Sequence, residues 1–323
     1  MTKDRMKAAV YGSAGGPDVL RYADVDLPRC GPHEVLVKVG AISIEGGDLL
    51  HRANVAPAAP NHIVGFAAAG EIVAVGSAVV NRRAGQRVAT GALDGSHAEF
   101  RAVAAGRTWL VPEGVDDAAA AAVPVAFGTA WHCVHERLRL QPGETLLVQG
   151  GAGMVGIAAI QFAHQLGARV IATVAGDERA ARLRALGLDT AIDHRRQDVA
   201  AMLRDMTDGG GVDAVLDPVG ATLGLSFDAV REGGRLVFVG NAGGDLAPDL
   251  FPAMHKNLTL HGVFFGALWE RPEVSATIDT ILGEVAAGRV DVVIDCRFAL
   301  AEAAAAHRHA EQGGVLGRTV LIP

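Results

Sequence analysis

Cysteine is scarce: Cys30, Cys133 and Cys296 are the only three in 323 residues. They form no Cys-x-x-Cys pair and cannot build a disulfide framework, which excludes the small stapled secreted class and suits a reducing cytosol. Positive charge is also short, with 29 Lys and Arg against 36 Asp and Glu and a formal charge of −7. Without a basic stripe to neutralise phosphates, nucleic acid is not an expected partner. No apolar signal core precedes the strand-like Lys7-Ala8-Ala9-Val10, so the chain reads as cytoplasmic. Charge is missing altogether from 145–168, a run long enough to span a bilayer. Gln149, Gln161, His164 and Gln165 interrupt that run, glycines stand at 150, 151, 153 and 156, and neither end has a basic flank or aromatic belt. The expectation is no membrane span but a strand and a helix buried inside a domain.

Glycine, by contrast, is abundant: 41 residues without a repeat period, which excludes collagen and points to particular backbone sites. Half the chain is hydrophobic, which excludes disorder, and at this length two domains are expected. Up to about residue 115 the pattern is short and strand-like, with β-rich runs at 35–39, 69–75 and 86–89. An alanine-rich helix follows from Asp117 towards Val134, broken at Pro124 and Gly128. From Glu144, strands at 145–149, 169–174, 190–192, 212–217 and 235–240 alternate with helices at 155–166, 178–186, 199–206 and 222–230. That rhythm predicts parallel strands joined by right-handed crossovers, a doubly wound sheet. A helix at 272–287, a strand near 289–294, a helix at 300–312 and a strand at 318–322 complete an α/β chain.

The strongest local motif is Gly151-Ala152-Gly153-Met154-Val155-Gly156, after one predicted strand and opening a helix. In that context the glycines permit a tight turn, close approach of a pyrophosphate and close helix packing, with the phosphate on helix N–H groups. An acid to hold a ribose diol should close the second strand, where Val174-Ala175-Gly176 stands instead. Asp177 and Glu178 read equally well as residues of a helix start. Arg179 and His194-Arg195-Arg196 are candidates to meet a 2′-phosphate, so NADPH is expected ahead of NADH.

Several blocks together resemble the medium-chain dehydrogenase/reductase superfamily, and within it the zinc-free, zeta-crystallin-like NADPH:quinone oxidoreductases. They are Gly12 to Leu20, Gly65 to Gly76, Gly95-Ser96-His97-Ala98-Glu99-Phe100, Gly128-Thr129-Ala130, the glycine motif and Asp217-Pro218-Val219-Gly220. The resemblance implies a GroES-like, mostly β catalytic domain at 1–118, a Rossmann-type cofactor domain at 119–262 and a segment at 263–323 that returns to the first. It also implies a homodimer, with the β-rich stretch around Leu258 to Phe264 as a pairing strand. Zinc alcohol dehydrogenases of the superfamily carry a cysteine ligand near Ile44 or Glu45 and Gly-His-Glu where this chain has Gly65-Phe66-Ala67. Their four-cysteine lobe, expected around 90–110, has no counterpart, so no zinc is expected. His132, Cys133 and His135 share one helix but have no nearby acidic or cysteine partner, and read as packing and surface residues.

Without a Lewis acid the expected direction is reduction, hydride passing from a nicotinamide to a quinone or an α,β-unsaturated carbonyl (enone). Glu45 stands where the family commonly has asparagine; it either delivers a proton or holds a backbone group or a ribose hydroxyl, the structural role being favoured because Gly46-Gly47 suggests a turn whose amides want a carboxylate. Asp48 matches a family position as support for the cleft, and Thr129 would lie against the nicotinamide. The family's pocket tyrosines are missing, since only Tyr11 and Tyr22 exist. Substrate contacts are therefore sought in His51, Phe66, His97, Trp131, Phe264 and Trp269, each with a core-packing alternative. Val219, Gly220, Asn241, Phe265 and Arg318 fall where relatives approach the cofactor; turn, packing and surface charge are their other readings. Two further functions stay open: an enoyl-thioester or alkenal reductase of the same fold, and a non-catalytic NADPH-binding protein.

Overall fold

The computed structural model describes residues 4–241 and 247–323. The chain forms two compact units, one drawn from Met1–Gly128 and Gly266–Pro323, the other from Thr129–Phe265. The first unit opens with β1 (Arg5–Tyr11), β2 (Arg21–Asp26), β3 (Glu34–Ser43), α1 (Gly46–Asn54), β4 (His62–Ile63) and β5 (Ala67–Val75). β6 (Arg87–Gly91), β7 (Phe100–Ala104), β8 (Thr108–Leu110) and α2 (Asp117–Ala122) follow. β1 pairs antiparallel with β2 and β4, and β3 pairs antiparallel with both β5 and β7. Sheet pairing continues from β5 through β6 to β8. α2 lies on β3 and β5, its small Ala118, Ala120, Ala121 and Ala122 side chains buried.

The predicted helix break at Pro124 and Gly128 does not occur. Backbone from Asp117 to Arg137 stays helical, because Val123–Phe127 and His132–Arg137 widen into π-helical turns around α3 (Gly128–Trp131). The Gly128 N–H reaches back five residues to Val123 O, so the ring of Pro124 enters near the start of a wide turn and its missing N–H interrupts little. The Pro124 carbonyl accepts instead from the Trp269 indole, at 3.3 Å.

The second unit alternates β9 (Thr145–Val148), α4 (Met154–Gln165), β10 (Arg169–Val174), α5 (Asp177–Arg184), β11 (Thr190–Asp193) and α6 (Val199–Met206). It continues with β12 (Val212–Asp217), α7 (Leu223–Ala229), β13 (Val230–Phe238), α8 (Phe251–His255) and β14 (Thr259–Gly262). All pairs are parallel in the order β11-β10-β9-β12-β13-β14, a doubly wound sheet. Strand order reverses between β9 and β12, and a crevice at the carboxyl ends of such strands is where open α/β sheets bind ligands. The charge-free run is β9 plus α4, buried on nearly every side. No helix among the described residues is long and apolar enough to cross a membrane.

The chain then returns to the first unit as α9 (Pro272–Ala286), β15 (Ile294–Ala299), α10 (Ala303–Glu311) and β16 (Arg318–Ile322). β16 pairs antiparallel with β3 and parallel with β15. The strand expected near 289–294 begins only at Ile294. Its alternate residues Asp295 and Arg297 face solvent, so an alternating polar strand carries the pairing and the apolar stretch before it is loop.

Candidate functional site

In the second unit the glycine motif lies between the end of β9 and the first turn of α4. Gly150 has φ +60°, and a Cβ there would stand 2.9 Å from a Val219 methyl. A Cβ on Gly151 would meet Ala172 at 2.8 Å, and one on Gly156 would meet Gly150 O and Gly151 Cα, each at 2.8 Å. Side chains at these positions would displace the turn or push α4 off the sheet. Gly153 caps α4 without any side-chain hydrogen bond, leaving the helix start to an incoming anion. Ala152, Met154 and Val155 complete that turn.

Opposite, across the reversal point, Asp217 closes β12. Its Oδ1 accepts from the backbone N–H groups of Val219 and Gly220, both at 2.9 Å, and shapes the turn that carries them. Gly240, past β13, passes so close to Pro218 O that a Cβ would lie 1.8 Å from it. Asn241 follows, its Oδ1 buried and with no partner among the described residues. A bare turn, an uncapped helix start and this unmatched acceptor at the ends of adjacent strands fit a dinucleotide.

Basic residues gather at the ends of β10 and β11. Gly176, with φ +89°, caps α5 and has the Arg179 guanidinium 3.7 Å from its Cβ position. Asp193 closes β11 and accepts from Gly176 N–H (3.1 Å) and Arg195 N–H (3.0 Å), bringing His194 and Arg195 to the same loop. Those N–H groups hold its carboxyl below the usual range. Arg196 is already paired with Asp177 at 3.2 Å, which leaves the Arg179 and Arg195 guanidinium groups, with the His194 ring as a further polar group, for an anionic group. Asp177 is a first-turn residue of α5, one of the two readings open for it.

Thr129 is buried in α3. Trp131 stacks on His135 with centroids 3.8 Å apart and meets Phe162 edge-on at 5.2 Å. His132 accepts from Arg137 Nε at 3.0 Å, and burial pushes the Cys133 thiol up. Phe265 is buried and 5.8 Å from the His132 ring, whereas Phe264 is 62% exposed.

In the first unit, Glu45, Asp48, His51, Phe66 and Arg318 meet around the start of α1. Glu45 Oε1 accepts from Ser43 Oγ at 2.6 Å, and Oε2 lies 2.7 Å from the Arg318 guanidinium, which also donates to Ile44 O. Asp48 Oδ2 accepts from Glu45 N–H at 2.8 Å and Oδ1 from Phe66 N–H at 3.0 Å, stitching α1 to the lead of β5. Phe66 packs on Gly47, where a Cβ would meet its ring at 2.3 Å, and its centroid is 6.3 Å from that of His51. Burial raises the Glu45 carboxyl against the pull of Arg318. Burial and then the neighbouring Glu45 push Asp48 up to about 8, against its two N–H donors.

Arg318 is therefore not a surface charge: it is 8% exposed and committed to Glu45 and Ile44. His97 and Trp269 are both buried. His97 is fully buried, with Nε2 2.9 Å from His307 Nε2, and Trp269 lies against Gly91 and donates to Pro124 O. Among the described residues, no three His, Cys, Asp or Glu side chains form a group able to hold a metal ion. The polar partners behind the glycine turn, Gln149, Thr173 and Ser226, were not singled out as site residues. For Gln149 and Thr173 the signal in the sequence is a lone polar side chain near the end of an apolar strand.

The family described as alcohol dehydrogenase GroES-like domain matches residues 31–115, and that described as zinc-binding dehydrogenase matches 154–283. A quinone oxidoreductase of Pseudomonas aeruginosa is 35% identical over 98% of this chain and 99% of its own. A 2-haloacrylate reductase of a Burkholderia species is 32% identical over 98% of each. The solved Escherichia coli quinone oxidoreductase complexed with NADPH superposes with a TM-score of 0.93 at 27% identity, over 98% of this chain and 100% of that one. The fold is thus a GroES-like domain joined to a Rossmann-type domain, the architecture of a medium-chain oxidoreductase. The chain belongs to the quinone oxidoreductase family of the medium-chain dehydrogenases/reductases, the zinc-free branch of that superfamily.

Proposed function

We propose that the protein is a zinc-independent reductase that uses NADPH to reduce quinones or α,β-unsaturated carbonyls. The observation that carries this reading is the glycine turn at the strand-order reversal, whose residues 150, 151 and 156 have no room for a Cβ and whose helix start is uncapped. Met154, Val155 and Gly156 would hold the pyrophosphate, with Val219, Gly220 and Asn241 facing it from the neighbouring strands. Arg179, His194 and Arg195 favour a 2′-phosphate over a diol, in keeping with the NADPH complex of the Escherichia coli neighbour. When bound, the dihydronicotinamide supplies hydride, and the protein's task is alignment.

The acceptor class is carried by the relatives' names, a quinone and a haloacrylate both being electron-poor π systems. Phe66 and Ala67 replace a ligating Gly-His-Glu pattern, which supports chemistry without zinc. Glu45 serves as scaffold, both its oxygens being taken by Ser43 and Arg318. A cytoplasmic homodimer completes the proposal. β14 is the edge strand of its sheet among the described residues, and the exposed Leu260, Phe264, Phe251 and Met254 support pairing there. Fluorescence titration and a panel of small quinones and enones test the reading. NADPH should bind at least tenfold tighter than NADH, by roughly 1.4 kcal/mol, and at least one acceptor should be reduced. Equal affinities overturn the cofactor assignment, and a panel left unreduced overturns the acceptor class.

A further inference from the structure

Behind the two cofactor-facing turns runs an unbroken line of hydrogen bonds, buried from Thr173 onward. Gly150 N–H donates to Thr173 Oγ1 at 2.9 Å, and that hydroxyl donates to Gln149 Oε1 at 2.9 Å. Gln149 Nε2 donates to Ser226 Oγ at 3.1 Å, and Ser226 Oγ donates to Asp217 Oδ2 at 2.8 Å. Thr222 Oγ1 donates to the same oxygen at 2.7 Å, while Oδ1 holds the Val219 and Gly220 amides. From the Gly150 amide through Thr173, Gln149 and Ser226 each donor points the same way, from the glycine turn after β9 to the carboxylate that closes β12.

We propose that Thr173, Gln149, Ser226 and Asp217 are positioning residues that set the spacing of the two turns flanking the strand-order reversal, and so the affinity for the pyrophosphate bridge of the cofactor. None of the four is offered as a cofactor contact. Asp217, Ser226 and Gln149 are fully buried and Thr173 is 4% exposed, beside a sheet core built of apolar side chains. Polar groups in such a core cost stability unless paired, and well-packed aliphatic side chains would serve stability as well. What a fully satisfied relay adds is a single defined geometry, strengthened as each bond polarises the next. Its two ends coincide with the turns where that geometry matters: Gly150 lies against the Val219 methyl, so a shift of either turn moves the other. The inference rests on the reading of this site as a dinucleotide site.

The test compares Thr173→Val, which keeps the shape and removes the hydroxyl, with Thr173→Ser, which restores it. Ser226→Ala interrupts the relay at a second point and serves if Thr173→Val does not fold. Affinity is measured for NADPH and for adenosine 2′-phosphate, a fragment without the pyrophosphate bridge. The expected result is an NADPH Kd raised about tenfold in Thr173→Val and Ser226→Ala, restored to within about twofold in Thr173→Ser, with fragment affinity unchanged in all. NADPH affinity at the wild-type level in a folded Thr173→Val or Ser226→Ala variant overturns the relay. Equal losses for NADPH and fragment also overturn it, since they mark general loosening of the domain. A wild-type protein that binds neither ligand overturns the dinucleotide reading itself and the relay with it.

Discussion

Acid should unfold this protein through two histidines that the fold keeps neutral. His97 and His307 are both fully buried and share a Nε2···Nε2 hydrogen bond of 2.9 Å, so one ring carries the proton and the other accepts it. His97 Nδ1 faces Ser96 Oγ at 3.1 Å, and the nearby charges are cationic: Arg101 beside His97 and Arg52 beside His307. Burial above all depresses both rings, helped at His97 by His307 and then Arg101 and at His307 by Arg52, taking His307 to about 3 and His97 well below its ordinary value. A base whose folded pKa is depressed contributes full stability above its unfolded pKa, about 6.5, and loses it as pH falls towards the folded value. Each ring then takes up a proton only on unfolding, at about 1.4 kcal/mol per pH unit. Between pH 7.5 and pH 5 that is about 2 kcal/mol for a ring that stays neutral in the folded protein, and about 4 kcal/mol for two such rings. Glu45 and Asp48, raised by burial, bind protons more tightly when folded and act with the opposite sign. Their contribution cancels in the difference between the wild type and the double variant His97→Gln, His307→Gln. The assay is urea unfolding at pH 7.5 and pH 5 with linear extrapolation. The wild type should lose about 4 kcal/mol more than the double variant between the two conditions; equal losses would refute the neutral pair.

Two further substitutions probe the sites. Gly156→Ala places a Cβ 2.8 Å from Gly150 O and Gly151 Cα, and should raise the NADPH Kd at least tenfold, about 1.4 kcal/mol, in a fluorescence titration; binding within a factor of about two would show that the turn has slack. Glu45→Gln leaves the buried Arg318 without its carboxylate and should cost roughly 3 kcal/mol of unfolding free energy. Because the account makes Glu45 a scaffold, turnover per folded molecule should stay within about twofold; a large fall in kcat with unchanged cofactor affinity would make it the proton donor instead.

Periodicity was enough to read the parallel domain, because its central strands β9, β10 and β12 are buried on both faces, so β10 and β12 end where the apolar runs end. It was insufficient around Pro124, where a widened turn absorbs a residue that normally ends a helix, and at β15, where half-buried residues alternate with exposed Asp295 and Arg297. Gly150, Gly151 and Gly156 were legible because backbone crowding there leaves only one residue type. The Glu45–Arg318 pair joins residues 273 positions apart in the numbering, and the Asp217 relay joins three strands and a helix. Tertiary pairings of that kind leave no periodic trace; each shows only as a polar residue in apolar surroundings.

Hydride transfer from NADPH to an electron-poor carbon is followed by the fate of an isotope label. An enone reduced by the protein with NADPH carrying deuterium at the transferable nicotinamide position should gain one deuterium at its β-carbon, read by mass spectrometry and NMR. A reduced product free of deuterium, whichever of the two prochiral nicotinamide positions carries the label, or no product at all from any quinone or enone tried, would contradict the account.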